Sequence, residues 1–389
     1  MSANAEVGRR GFRWAALIFV ASAWQTWAAP WVPVSAGVDA RSVPATPTIE
    51  QRESDQQLNF DLIVHNPGKS PLRLAVIREK VYDAEGRLEL EREVSGNGSP
   101  PALTILGSSI VPPHGYADFF QPFDRYRKSV DLARIQLELV FLNETKPIPP
   151  FLAQGDAIAV VEIRPANPNL APYCLPLHGL SLVHDGHDLL SHHRRRDLVA
   201  HAAGNIAGSV NANLYAYDFV KIDADGQLFH RDLNRKQNWL SFGSPVFSPV
   251  SGIAVTVVDG VPDNRFLNGV AVTPSAAEAI DPNGFGNHIV IRADDGRFSW
   301  LLHLEAGTVA VHQGQRVKAG EMLGRIGFSG DALFPHLHYT VTAGGTYPSQ
   351  GVPSYFSDFV RVGDSRSPHD SRQIDTGDIL KWRSSPSCP

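Results

Sequence analysis

The chain has 389 residues, 43% hydrophobic and 19% charged, with a formal net charge of −5. That length suits roughly two or three domains, and this much apolar side chain offsets the entropy of ordering, which excludes disorder over most of it. An acidic balance without clustered Lys and Arg gives no basis for counterion release, so no nucleic-acid partner is expected.

The first predicted element is a leader. Arg9, Arg10 and Arg13 precede an apolar stretch over 14–24, and Thr26 and Ala28 stand two apart, the spacing of a signal-peptidase site. Residues 1–28 are expected to be a secretory signal. The apolar run falls short of the roughly 20 residues that cross a bilayer, so no stable membrane span is expected after cleavage. A periplasmic or secreted location follows, and in that oxidising setting the two cysteines, Cys174 and Cys388, are able to form one bridge.

Leu58, Phe60, Leu62 and Val64 alternate with less apolar residues, as do Ile135, Leu137, Leu139 and Phe141, which predicts half-buried strands over 58–64 and 135–141. A further strand is expected over 76–82, with turns at Asn66-Pro67-Gly68 and Asp83-Ala84-Glu85-Gly86. Residues 45–165 therefore read as an Ig-like β-sandwich. It holds His65 and His114 but no clustered chemistry, so it is an accessory domain for packing or for a protein partner.

Pro-rich sequence at 147–150 and 165–172 marks a boundary. A second domain is expected over 170–350, followed by a tail over 351–389. Of the 15 histidines, 13 lie beyond the boundary, and His178, His184, His187, His192, His193 and His201 crowd into one stretch that suits metal or acid–base work. Arg194 to Arg196 read as a solvated face, or as a contact for an anionic substrate. Strands then dominate, over 214–222, 252–258, 288–291 and 298–304, with glycines at 314, 320, 324, 327 and 330 marking tight bends. No long amphipathic helix is evident, so the fold class is mainly β and mostly antiparallel.

Chemistry concentrates late in the chain. His336 and His338 are two apart in an alternating run and share a strand face. Asp218 lies in the apolar stretch Tyr215-Ala216-Tyr217-Asp218-Phe219, where an unpaired carboxylate is expensive to bury, so it needs a cation or an Arg. His303 sits in the equally apolar Trp300-Leu301-Leu302-His303-Leu304.

These residues occur in order with Phe242-Gly243-Ser244-Pro245-Val246-Phe247-Ser248-Pro249, Gly284-Phe285-Gly286-Asn287-His288 and the glycine-rich stretch 311–330. Over roughly residues 214 to 345 the sequence resembles the lysostaphin-like, LytM-type zinc metallopeptidases, which cut peptide cross-links of peptidoglycan. The resemblance implies a C-terminal antiparallel β-sheet peptidase domain, one Zn2+, a peptidoglycan peptide as substrate, Asp218 and His338 as zinc ligands, and His303 and His336 as catalytic histidines. The family's remaining ligand is a histidine four residues before the aspartate, and here that position is Leu214. The upstream histidines are the expected donors, His193 first and His192 next, with His187, His201 or no ligand at all behind them. The expected activity is an exported zinc metalloendopeptidase acting on peptidoglycan. The alternative is an inactive relative that binds or activates another cell-wall hydrolase.

Overall fold

Alternating apolar and polar residues favour strands over helices. The computed structural model describes residues 37–97, 102–148, 155–168, 170–199, 210–363 and 373–384, and among these the one α-helix is Ser275–Ile280. The strands of both large sheets run antiparallel, and the fold is mainly β as expected. The leader 1–28, His201 and Cys388 lie outside the described residues. Cys174 is buried and disulfide-bonded.

Toward the N-terminus, a three-stranded sheet of Asp39–Val43, Asp61–Asn66 and Gly115–Phe120 shares a core with a five-stranded sheet built on Arg134–Asn143 and Leu72–Tyr82. Phe60, Leu62, Val64, Ile77, Phe119, Leu137, Leu139 and Phe141 meet in that core. The single strand expected over 58–64 is instead two. Asp55–Leu58 pairs with Ile49–Gln51 and Arg125–Arg127, while Asp61–Asn66 joins the other sheet. The break falls at Asn59 and Phe60, whose polar groups are engaged elsewhere. The Phe60 carbonyl accepts from the Arg194 guanidinium, and the Asn59 amide donates to Glu50.

From residue 173 a second core forms around a nine-stranded sheet. Its middle is Asn287–Ala293, Phe298–Leu304, Leu337–Thr342, Tyr217–Lys221 and Leu180–Asp185, in that spatial order. Two short strands from beyond residue 350, Phe359–Arg361 and Ile379–Trp382, extend the same sheet past Leu180–Asp185. The strand expected over 214–222 is shorter, Tyr217–Lys221, and Leu214 before it is fully buried.

Candidate metal centre

Three adjacent strands set the site. His338 lies opposite Asp218 on one side and Leu302 on the other, so the carboxylate and the imidazole are neighbours by register alone. His336 directly precedes the strand Leu337–Thr342. His303 reaches the same cleft through a bulge. Between the pairs Asn287↔Leu304 and Ile289↔Leu301, two residues, Leu302 and His303, oppose one, and His303 takes φ +64°. A bulge with a positive φ on a non-glycine residue re-aims a side chain at the cost of strain, a combination found beside active sites. The strained turn is held by backbone bonds from His303 N to the Phe285 carbonyl, 3.1 Å, and from Gly327 N to the His303 carbonyl, 2.9 Å.

An upstream histidine stands at the cleft where Leu214 leaves no local one. His193 is buried, and its Nε2 lies 3.2 Å from His338 Nδ1 and 3.3 Å from Asp218 Oδ1. His338 Nδ1 is 3.0 Å from the same carboxylate oxygen, as is His336 Nε2 at 3.3 Å. His192, the other strong candidate, is two-thirds exposed and turns its Nδ1 to Asp185, while its Nε2 stays 3.8 Å from Asp218 Oδ2. His187 goes elsewhere, to Glu50 at 3.0 Å, and His178 is stacked between Phe247 and Trp382. Arg194 is neither solvated nor aimed at the cleft, contrary to the reading of the Arg run. It is fully buried against Asp61, because the loop crosses the N-terminal sheets there.

Tautomers follow from the carbonyls, which only accept. His193 Nδ1 donates to the Gly186 carbonyl at 3.0 Å, His336 Nδ1 to Phe334 at 2.8 Å and His303 Nδ1 to Ser329 at 2.9 Å. When neutral, each ring therefore presents a lone pair at Nε2. Around Asp218 Oδ1 stand two such lone pairs, from His193 and His336, and a single hydrogen on His338 Nδ1 cannot satisfy them all. Such a buried cluster of acceptors calls for added protons or a metal cation.

The donor set fits zinc. Tetrahedral ligands at ordinary Zn–N and Zn–O lengths stand about 3.3 Å apart, and His193 Nε2, Asp218 Oδ1 and His338 Nδ1 are separated by 3.2, 3.3 and 3.0 Å. A second group, Asp185, His192 and His193, borders the first and shares His193.

Electrostatics separate the four rings. Burial would raise the Asp218 carboxyl, but the His336 and His193 imidazoles against it hold it well below the usual carboxylate range. Burial pushes His338 down to about 4, and it pushes His303 well below the usual imidazole range, with His336 and His338 adding to the fall. His336 goes the other way, since the Asp218 carboxylate outweighs its burial and raises it.

Sequence reading missed Asp185 and Asp331, the latter with Oδ1 3.6 Å from His303 Nε2. Neither lies in a motif, and neither declares itself by spacing.

Residues 240–349 match the model of Peptidase family M23. Solved structures with similarity to the chain include lysostaphin of Staphylococcus simulans, 22% identical over 36% of this chain and 41% of that one, with a TM-score of 0.23. The catalytic domain of the prophage-encoded M23 protein EnpA from Enterococcus faecalis is 17% identical over 48% and 92%, TM-score 0.24. A putative peptidase M23 from Pseudomonas aeruginosa is 14% identical over 79% and 88%, TM-score 0.23. The chain spans about two fifths of the length of the lysostaphin structures it matches. The matched residues include His303, His336 and His338, and over 240–349 the chain is similar to peptidase family M23, the family that its ordered motifs resemble.

Proposed function

We propose that the chain is an exported zinc metalloendopeptidase that hydrolyses peptide cross-links of peptidoglycan, with His193, Asp218 and His338 holding the metal. One observation carries this reading: the lone pair of His193 Nε2, the Asp218 carboxylate and His338 Nδ1 crowd within 3.3 Å of one another in a buried cleft, at separations that suit tetrahedral zinc. Bound there, zinc supplies Lewis acidity and brings the pKa of a water toward about 7. His303 keeps its Nδ1 proton on the Ser329 carbonyl, so its Nε2 has the lone pair to take a proton from water. His336, whose charged form is favoured by Asp218, donates to the oxyanion that develops on the scissile carbonyl. Similarity to the family over 240–349 supports the substrate class, and His193 in place of the family's local histidine supports an active enzyme over an inactive relative.

The test is release of soluble peptide fragments from purified peptidoglycan by the full chain. His336→Ala should lower the rate by at least about 100-fold while the protein keeps its zinc. A wild type that binds zinc and wall material but releases no fragments would overturn the endopeptidase reading in favour of a binding protein.

A further inference from the structure

The loops that bring His193 and Asp218 to the cleft have little regular structure of their own. Residues 186–199 and 210–216 are turns and coil among the described residues, and around His193 the backbone–backbone bonds internal to the loop are those of Ser191 N to the Asp188 carbonyl and Arg195 N to the carbonyls of Ser191 and His192, joined by His193 Nδ1 to the Gly186 carbonyl and Arg194 N to Ser191 Oγ. Turns and coil without a strand ladder depend on such individual bonds to fix a side chain to a few tenths of an ångström.

The second core holds their far ends, through Gln350, Gly351 and Thr340 on Asn211 and Ala212 and through Thr376 on Gly186 and Asp188, and the N-terminal sheets hold the stretch next to His193. Arg194, next to His193, donates to Asp61 Oδ1 and to the Phe60 carbonyl, each at 2.5 Å, and both Arg194 and Asp61 are fully buried. The other carboxylate oxygen, Asp61 Oδ2, accepts from Asn211 Nδ2 at 2.8 Å. Asn211 begins the segment that runs into the Asp218 strand, so one carboxylate grips both ligand-bearing loops. Around it, Leu198 N donates to Asp118 Oδ2 at 2.9 Å, and Leu198 and Val199 pack on Val43 and Ile63.

We propose that Asp61 is a positioning residue of the metal centre: from the N-terminal sandwich it sets the spacing of the loops carrying His193 and Asp218, which makes the sandwich part of the site. The inference rests on the metal reading above. Its physical basis is that a buried guanidinium has few alternative partners, so removing Asp61 leaves Arg194 uncompensated and frees the loop.

The experiment uses the full chain and two readouts, zinc affinity by competition with a chelator, and amide hydrogen exchange over 186–199 in metal-free protein. Asp61→Asn, which keeps the shape and loses the charge, should bind zinc at least about tenfold more weakly and exchange those amides at least about tenfold faster. Leu139→Ala, in the sandwich core, should lower the melting temperature but leave zinc affinity within about twofold. Wild-type affinity and protection in Asp61→Asn would overturn the proposal, as would an equal loss of affinity in Leu139→Ala, which would reduce the effect to general stability. Should Asp61→Asn not fold, Leu198→Ala trims the apolar anchor instead. A loss of about threefold or more in zinc affinity together with faster exchange is then expected, and no change in either overturns the proposal. A wild type that binds no zinc contradicts the metal reading, and the exchange comparison still decides whether Asp61 fixes the loop.

Discussion

His192 and His193 are adjacent in sequence, yet the chain treats them differently. His193 is buried with its Nδ1 proton on the Gly186 carbonyl and its Nε2 among the other donors, whereas His192 is exposed and bonded to Asp185. His193→Ala should therefore lower zinc affinity by more than about 100-fold, and His192→Ala by about 10- to 100-fold at most, the range of an outer-shell partner. Chelator competition on both variants checks this, and equal losses would contradict the assignment. Much of the candidate site was legible at this scale. A carboxylate in an apolar strand and two histidines two apart declare themselves, because each is a polar group that burial makes costly. The choice between His192 and His193 was left open by the sequence, since it depends on where a coil segment crosses the sheet, which no periodicity encodes.

At the scale of elements, the position of His303 depends on close packing under its bulge. A Cβ added at Gly327 would lie 2.3 Å from Glu305 N and 2.4 Å from the Leu304 carbonyl carbon, both backbone atoms beside His303. Gly327→Ala should therefore destabilise the fold by about 1–3 kcal/mol and lower the cleavage rate, as thermal unfolding and peptidoglycan digestion would show. Unchanged stability would contradict the packing described. The glycine-rich stretch was visible in the sequence as bends, but its role in close approach was not, because that is set by a segment some twenty residues earlier.

Asp118, on the strand Gly115–Phe120, shows how the sandwich meets the ligand loop. Burial, and then the Asp61 charge, push its carboxyl up to about 8, far above the value near 3.9 of an unfolded chain. The native state thus keeps a proton that the unfolded state has lost, and this group's contribution to stability falls as pH rises from about 4 to about 8. Asp118→Asn still accepts from Leu198 N, so it should match the wild type near pH 4 and melt higher at pH 8, by roughly 2–4 °C for each kcal/mol recovered. A difference between the two proteins that stays constant across that window would contradict the shifted carboxyl.

At the scale of the whole molecule, the two cores are joined by polar contacts that no sequence pattern announces. Asp61 with Arg194, Glu50 with His187, and Arg52 with Asp375 each link residues more than 130 positions apart. Strand alternation is a local signal and predicted the sandwich strands over 135–141 and 76–82 well, within longer observed strands. A long-range ion pair leaves no local trace, and for that reason Arg194 looked like part of a solvated basic run. Arg194 and Glu50 also bond Phe60 and Asn59, where the strand expected over 58–64 is interrupted.

X-ray absorption at the zinc edge, on the purified full chain reconstituted with one equivalent of metal, tests the central claim most directly. The account predicts a four-coordinate site with two imidazoles, one carboxylate and one water-derived ligand, reduced to a single imidazole in His338→Ala. A wild type that takes up no zinc, or whose zinc environment is the same in the variant, would contradict it.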